Sequence, residues 1–369
     1  LKTQFHLPAG PYFLSHSVGR PLRSTQQHFN EHFFAPWQQG QSEPWPQWLG
    51  AVQDFTTALA RLFNSEARLF CPQVNLSSAL SKLVMAHPGL SKAKCKVLMS
   101  EQDFPSMGFA LQKSLSPDSE IVFIPAGEDV SDIQVWQSHM QADMDMVFIS
   151  QVYSNSGRQA PVTDIVATAK ELSMLSLVDV AQGAGVIPLD LALVQPDFLI
   201  GSSVKWLCGG PGAAYLWLSN EQLPSCEPKD VGWFSHANPF EFDIHHFAYH
   251  DSALRFWGGT PSVAPYVLAA HSINWFNDFG VDKVRAHNLK LQRQLLDECE
   301  SLAVSPMSEQ HRSGTLILHG GAKQEQMMRE LGQHNISVDA RHLGARVSFH
   351  IYNDEQDVAQ LISILKRFI

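Results

Sequence analysis

Between residues 96 and 204, short apolar runs alternate with stretches whose apolar positions recur every three or four residues, and this alternation constrains the fold more than any other feature. The runs 96–99, 121–124, 146–149, 175–180 and 198–200 read as strands, and 107–113, 132–140 and 163–172 read as helices between them. A strand, a helix and a second strand in succession make a parallel pair with a right-handed crossover. Repeated, that unit predicts an α/β fold with a mostly parallel central sheet sandwiched by helices, whose ligands collect at the carboxyl ends of the strands.

Helical patterns at 48–63 and 76–86 precede this block, and 263–279 and 281–301 follow it. From Thr315 onward, strands 315–318, 337–339 and 346–349 interleave with helices 324–334 and 354–368, which describes a smaller α+β unit. The Pro- and Trp-rich stretch 35–48 is the most loop-like and takes the first boundary. The expected division is therefore an N-terminal segment 1–44, partly loop, that contributes to the small domain and the active-site rim, a large ligand-binding α/β domain 45–262, and a small C-terminal α+β domain 263–369.

Composition removes several classes of function. Lys and Arg number 26 against 36 Asp and Glu, a net charge of −10 with no basic block, so neither nucleic acid nor an anionic membrane is an expected partner. Apolar stretches such as 198–204 and 213–218 fall far short of the ~18 residues that cross a bilayer. Residues 1–10 lack a basic start followed by an apolar run, and the five cysteines are scattered without a Cys-x-x-Cys pair. The expectation is a cytoplasmic protein with ordinary core thiols.

Chemistry concentrates in two stretches. In Ser202-Ser203-Val204-Lys205-Trp206-Leu207-Cys208-Gly209-Gly210-Pro211-Gly212, one Lys follows a buried-strand pattern and precedes a glycine-rich turn. A lone Lys is usually a solvated cation, but a desolvated amine of lowered pKa attacks carbonyls and forms Schiff bases. In Leu177-Val178-Asp179-Val180-Ala181-Gln182-Gly183, a carboxylate emerges at the end of an apolar strand. Alone it reads equally well as a turn cap; with Lys205 it suits a pyridinium nitrogen, as in pyridoxal phosphate enzymes.

These segments, with Gly232-Trp233-Phe234-Ser235-His236, Arg255-Phe256-Trp257-Gly258-Gly259-Thr260-Pro261-Ser262 and Arg346-Val347-Ser348-Phe349-His350-Ile351-Tyr352-Asn353-Asp354, resemble the class V aminotransferase family of pyridoxal phosphate enzymes, nearest to kynureninase. The resemblance runs from about residue 44 to the end. It implies the fold type I architecture, pyridoxal 5'-phosphate as cofactor, and an α-amino acid as substrate. Lys205 is then the catalytic Schiff-base lysine, Asp179 the partner of the ring nitrogen, Gln182 a neighbour of the ring hydroxyl, and Phe104 of Asp103-Phe104-Pro105 the stacking ring. Arg346 takes the substrate carboxylate. Gln73 and Val74, at the start of the helical pattern 76–86, and Ser202 join the cofactor set, the first two through a helix N-terminus that attracts phosphate. Trp233 and Thr260 reach the phosphate from a second subunit, which implies a homodimer.

Three positions depart from kynureninase: Val204 stands where that family has Tyr, Pro72 and Gln73 where it has Thr, and Ser106-Met107 where it has Thr-Asp. Cysteine desulfurases share the implied fold but resemblance to them requires a nucleophilic Cys shortly before the arginine motif, and no Cys follows Cys299. A catalytically silent scaffold of the same fold is the alternative reading. A His-based metalloenzyme at His246 and His250, spaced four apart, is a weaker one, since Pro239 and the aromatic residues around it mark a loop. No metal is expected.

Overall fold

A computed structural model of the chain describes residues 1–40 and 42–369. Its main sheet has seven strands: β1 (Phe70–Gln73), β2 (Lys96–Ser100), β3 (Glu120–Ile124), β4 (Met146–Ser150), β5 (Leu175–Asp179), β6 (Phe198–Ser202) and β7 (Ala214–Leu218). Their order is β1-β7-β6-β5-β4-β2-β3. The block from β3 to β6 is parallel, and β7 runs antiparallel to both β6 and β1. All strands except β7 therefore end on one edge of the sheet, as the alternation of runs and helices predicts.

Two strands escape the sequence reading. β1 has only four residues and carries Pro72, which an edge strand tolerates because a proline there withholds no needed hydrogen bond. β7 is an unbroken apolar run buried along its whole length, so it shows no alternation to identify it.

Helices cover both faces. Leu76–Ala86 starts at Asn75, whose side chain accepts the Ser78 N–H at 2.8 Å, and Pro105–Ser114 starts with proline in its first turn, where no N–H is needed. The stretch 35–48 is more helical than its composition predicts, because Pro36 and Pro46 also sit in first turns, of Ala35–Gln39 and Trp45–Phe63. An edge-to-face pair of Trp37 and Trp48, 5.9 Å between centroids, joins these two helices.

The second sheet is antiparallel, β8-β10-β9, formed by β8 (Thr315–Leu318), β9 (Asp339–Arg341) and β10 (Gly344–Ser348). β9 falls two residues later than the pattern at 337–339 predicts, because Ser337 instead bridges to Tyr12 of the N-terminal segment. Around this sheet lies a smaller core that includes Phe13, Leu316, Val347, Phe349 and Leu361. Phe5 and Leu22 join the larger core of the main sheet. Helix Ala264–Phe279, which the sequence reading groups with the small C-terminal unit, buries Tyr266, Val267, Ile273 and Phe276 in that larger core as well. Among the described residues no helix is long and apolar enough to cross a membrane.

Candidate active site

The carboxyl ends of β2, β4, β5 and β6 meet on one edge, and each delivers a polar residue there. Asp179 is the last residue of β5, paired in register with Ser150 of β4 and Ile200 of β6. Lys205 sits on the bend that follows β6, where the N-terminal segment packs so closely that a Cβ on Gly19 falls 2.0 Å from the Lys205 carbonyl oxygen. The Gly19 N–H donates to the Val204 carbonyl at 2.8 Å, so residues near position 19 hold this bend.

Burial drives the electrostatics. Loss of water pushes the Lys205 amine down to about 8; Arg346 and Arg341 add to the push, and Asp179 opposes it. Its ammonium makes no hydrogen bond or ion pair among the described residues. Asp179 is raised by burial against the pull of the Ala181 N–H, which donates to its Oδ1 at 2.8 Å, and of Lys205. Beside it, Asp103 is pushed up to about 7 by burial, with Ser150 and the Ser100 N–H opposing and the Asp179 charge reinforcing. Asp103 accepts the Ser100 N–H at 2.8 Å through Oδ2, while its Oδ1 and the buried hydroxyls of Tyr153 and Tyr215 have no hydrogen-bond partner among the described residues.

Arg346 lies on β10 and is 3% exposed. Its Nε donates to Asp339 Oδ1 at 2.8 Å, Nη2 donates to Asp339 Oδ2, and Nη1 reaches the Ser154 carbonyl at 3.3 Å. Asp339 also meets His16 Nε2 at 2.9 Å, and these two neighbours hold its carboxyl far below the ordinary range despite burial. Gln182 joins the same network, donating through Nε2 to the His16 carbonyl at 3.1 Å. The half-exposed Phe104 ring opens helix Pro105–Ser114 and faces the Arg341 guanidinium at 5.9 Å.

Lys205, Asp179, Phe104, Gln182 and Arg346 thus gather on one edge. Ser202, Ala214 and Gln73 stand in register across β6, β7 and β1, so Gln73 and Ser202 end on that edge too. The Gln73 amide, however, donates to the Phe256 carbonyl at 3.2 Å and turns away, which leaves backbone N–H groups near exposed Val74 and Asn75 as its segment's contribution. The Ser202 hydroxyl accepts the Val204 N–H at 3.4 Å. Trp233 Nε1 donates to Thr260 Oγ1 at 3.3 Å, and among the described residues neither side chain is hydrogen-bonded to Lys205 or Asp179. His246 and His250 lie in irregular backbone, one paired with Asp243 Oδ2 at 2.7 Å and the other with Ser252 Oγ at 2.8 Å, so they share no helix face. All five cysteines are buried.

Asp103, Tyr153, His16, Asp339 and Arg341 carry polar groups of the site without being singled out by the sequence. Asp103 had one signal, a carboxylate directly before the stacking Phe104; the others are brought in by tertiary contacts over long separations.

The donor set fits pyridoxal phosphate. An unpartnered buried amine among the described residues stands ready for the aldehyde, a buried carboxylate with one oxygen free of N–H donors among the described residues for the ring nitrogen, a half-exposed ring at Phe104 for stacking, and a helix N-terminus at Leu76 for the phosphate.

Comparison with known proteins agrees. Kynureninase of Deinococcus radiodurans is 26% identical over 360 residues, covering 92% of this chain and 85% of that protein. The uncharacterized aminotransferase YcbU of Bacillus subtilis is 25% identical over 243 residues, 66% of this chain and 63% of its own. Two solved structures share the fold at 17% identity: the cystine C-S lyase C-DES in complex with its product cysteine persulfide, with a TM-score of 0.87 over 98% of each chain, and a cysteine desulfurase from Thermococcus onnurineus NA1, with a TM-score of 0.85 over 97% of this chain and 94% of that one. The family profile for aminotransferase class V matches residues 75–361. The chain belongs to the class V aminotransferase family, whose enzymes depend on pyridoxal phosphate.

Proposed function

We propose that this class V enzyme acts on an α-amino acid as a transferase or lyase, with Lys205 as the catalytic amine. The observation that carries this reading is the pairing of a desolvated, hydrogen-bond-free Lys205 with buried Asp179 at the ends of adjacent parallel strands. Pyridoxal phosphate, when bound, supplies an aldehyde for amines and a protonated ring that accepts the electron pair released at Cα.

The chain's own residues do the rest. Lys205 Nζ, lowered to about 8 by burial, is largely ammonium at neutral pH yet loses its proton readily, so it would hold the aldehyde cofactor and would be suited to move a proton at the substrate Cα. Asp179 would hold a proton on the ring nitrogen. Phe104 would stack on the ring, and backbone N–H groups at Val74, Asn75 and Leu76 would hold the phosphate. Carboxylate recognition falls to the side of the pocket where Arg341 and Arg346 face Lys205. Trp233 and Thr260 complete the phosphate site of a second copy, making the working unit a homodimer; the cytoplasm is its proposed compartment.

Met107 argues against kynurenine hydrolysis as the reaction. It takes the place of an acidic residue of kynureninases and is buried in the core, so helix Pro105–Ser114 offers no acid there. The test is direct. Protein supplied with pyridoxal phosphate should turn yellow, and borohydride should fix the cofactor on Lys205 in peptide maps; Lys205→Ala should lose both signals. A colourless protein, or reduction at another lysine, overturns the reading. Spectral titration with a panel of amino acids then separates an enzyme from a silent scaffold, which binds cofactor but answers to none of them.

A further inference from the structure

Two segments carry the side chains assigned to the second copy's site, 230–235 with Trp233 and 256–260 with Thr260, and they lie back to back. The Phe234 N–H donates to the Gly258 carbonyl at 3.1 Å, the Gly258 N–H donates to Ser235 Oγ at 2.9 Å, and a Cβ on Gly232 would fall 2.6 Å from the Gly259 backbone. The Trp233–Thr260 hydrogen bond closes the unit. A group that fixes the start of both segments therefore fixes both side chains.

Lys82 is placed to do so. It stands on helix Leu76–Ala86, and its ammonium donates to the Phe256 carbonyl at 3.2 Å and pairs with Asp230 Oδ2 at 3.1 Å. The Lys82 side chain is 16% exposed against 59% for Asp230, so the cation is the desolvated member of the pair. A Cβ on Gly258 would lie 3.7 Å from Nζ, which sets the ammonium against that turn as well. From the other side of the helix start, Gln73 donates to the same Phe256 carbonyl at 3.2 Å. A desolvated ammonium is destabilising unless its acceptors stay within reach, so Lys82 ties Phe256 and Asp230 to the helix. One helix thus faces two sites. Its first N–H groups lie at the phosphate end of its own site, and Lys82, ~9 Å further along the axis, grips the segments that serve the other.

We propose that Lys82 is a positioning residue that acts on the neighbouring subunit's site, holding Trp233 and Thr260 in the pose that reaches that subunit's cofactor phosphate. The inference rests on the reading of the enzyme as a homodimer in which Trp233 and Thr260 cross over.

Hybrid dimers, purified through a different tag on each chain, test it. One chain carries Lys205→Ala, so only the site built on the other chain's Lys205 gains the absorbance of bound cofactor. Dissociation constants are read from that absorbance for pyridoxal phosphate and for pyridoxal, which lacks the phosphate. Lys82→Met on the Lys205→Ala chain should weaken pyridoxal phosphate about tenfold, the scale of a lost charged hydrogen bond, and leave pyridoxal within about twofold. The same substitution on the chain that keeps Lys205 should change neither by more than about twofold, and Lys82→Arg on the Lys205→Ala chain should restore most of the loss. Asp230→Asn, at a water-facing position that spares folding, should give a smaller loss of the same pattern. Losses that appear equally with pyridoxal, losses that follow the chain keeping Lys205, or no loss in either variant overturn the proposal. Trp233→Ala with Thr260→Ala on the Lys205→Ala chain is the reference. If that double variant binds pyridoxal phosphate as tightly as wild type, the crossing-over itself is wrong; a loss there without one for Lys82→Met and Asp230→Asn removes the role of Lys82 alone.

Discussion

At the scale of single residues, the floor of the site holds more carboxyl groups than one ring nitrogen needs. Asp103 and Asp179 are both buried, each raises the proton affinity of its surroundings, and the orphaned hydroxyl of Tyr153 lies in the field of both. Asp103 is pushed up to about 7, first by burial and then with the Asp179 charge reinforcing, and Asp179 is raised by burial as well. The sign for stability follows from the folded value lying above the unfolded one. The folded protein binds more protons than the unfolded chain between about pH 4 and pH 7, so Asp103 subtracts stability as pH rises through that window and nothing further above it. Asp103→Asn should therefore lose little at pH 5 and gain, relative to wild type, on the order of 3 kcal/mol by pH 8, measured as urea midpoints across pH. A variant whose stability tracks wild type in parallel from pH 5 to pH 8 contradicts the assignment. This pair also shows the limit of reading residues in order. Lys205 and Asp179 are legible because a charge closing an apolar strand is locally anomalous. Asp103, Asp339 and Arg341 sit in unremarkable polar contexts, and only the folding of β2, β5, β9 and the N-terminal segment onto one edge makes them neighbours.

At the scale of elements, the strand and helix alternation from 96 to 204 was readable because each run has the length and period of its element, and the fold that follows is governed by parallel crossovers. What escaped was whatever tertiary contact decides: β1 and β7, and the helical N-terminal arm from Thr25 to Gln39. That arm docks through histidines. The His28 ring stacks on His32 at 4.1 Å and on His271 of helix Ala264–Phe279 at 4.3 Å, and the Ser24 hydroxyl meets His271 Nε2 at 2.8 Å. Burial, then the two neighbouring imidazoles, push His28 down to about 4, while Glu31 pulls the other way. His271 is lowered as well, by burial and by His32. A histidine lowered on folding must gain a proton to unfold, so the docking is fully present above about pH 6.5 and is lost as pH falls toward 4. Amide exchange in residues 25–39 should accelerate on acidification from pH 7 to pH 5, after correction for intrinsic rates, and His28→Gln should flatten that dependence while the amides of β4 and β5 stay protected. Equal acceleration in the variant removes the histidines from the explanation.

At the scale of the whole molecule, one chain gathers the amine, the carboxylate and the guanidinium side of the site, while Trp233 and Thr260 are hydrogen-bonded to each other. Around Trp233, exposed apolar side chains accumulate: Phe240, Phe242, Phe247 and Ile244, the last 93% exposed, with Phe240 and Phe242 packed directly on the Trp233 ring. A water-facing apolar cluster of this kind favours association, and a twofold dimer buries the same patch twice. If the second copy supplies Trp233 and Thr260 to the phosphate, damage to the amine and damage to the phosphate contact fall on different subunits of a mixed dimer. Lys205→Ala and the double variant Trp233→Ala with Thr260→Ala should each be nearly silent when assayed for exchange of the glycine α-proton in heavy water with pyridoxal phosphate present. Mixed and reassembled from dissociated chains, half of the dimers are hybrids, and each hybrid carries one site with both functions intact, so exchange should recover to roughly a quarter of the wild-type rate. Sites confined to one chain give no such recovery, because every amine-competent chain in the mixture then lacks its own Trp233 and Thr260. The recovered fraction, together with its loss on dilution below the dimer's dissociation constant, ties the assembly to the chemistry: the subunit that holds the amine relies on its neighbour to hold the phosphate.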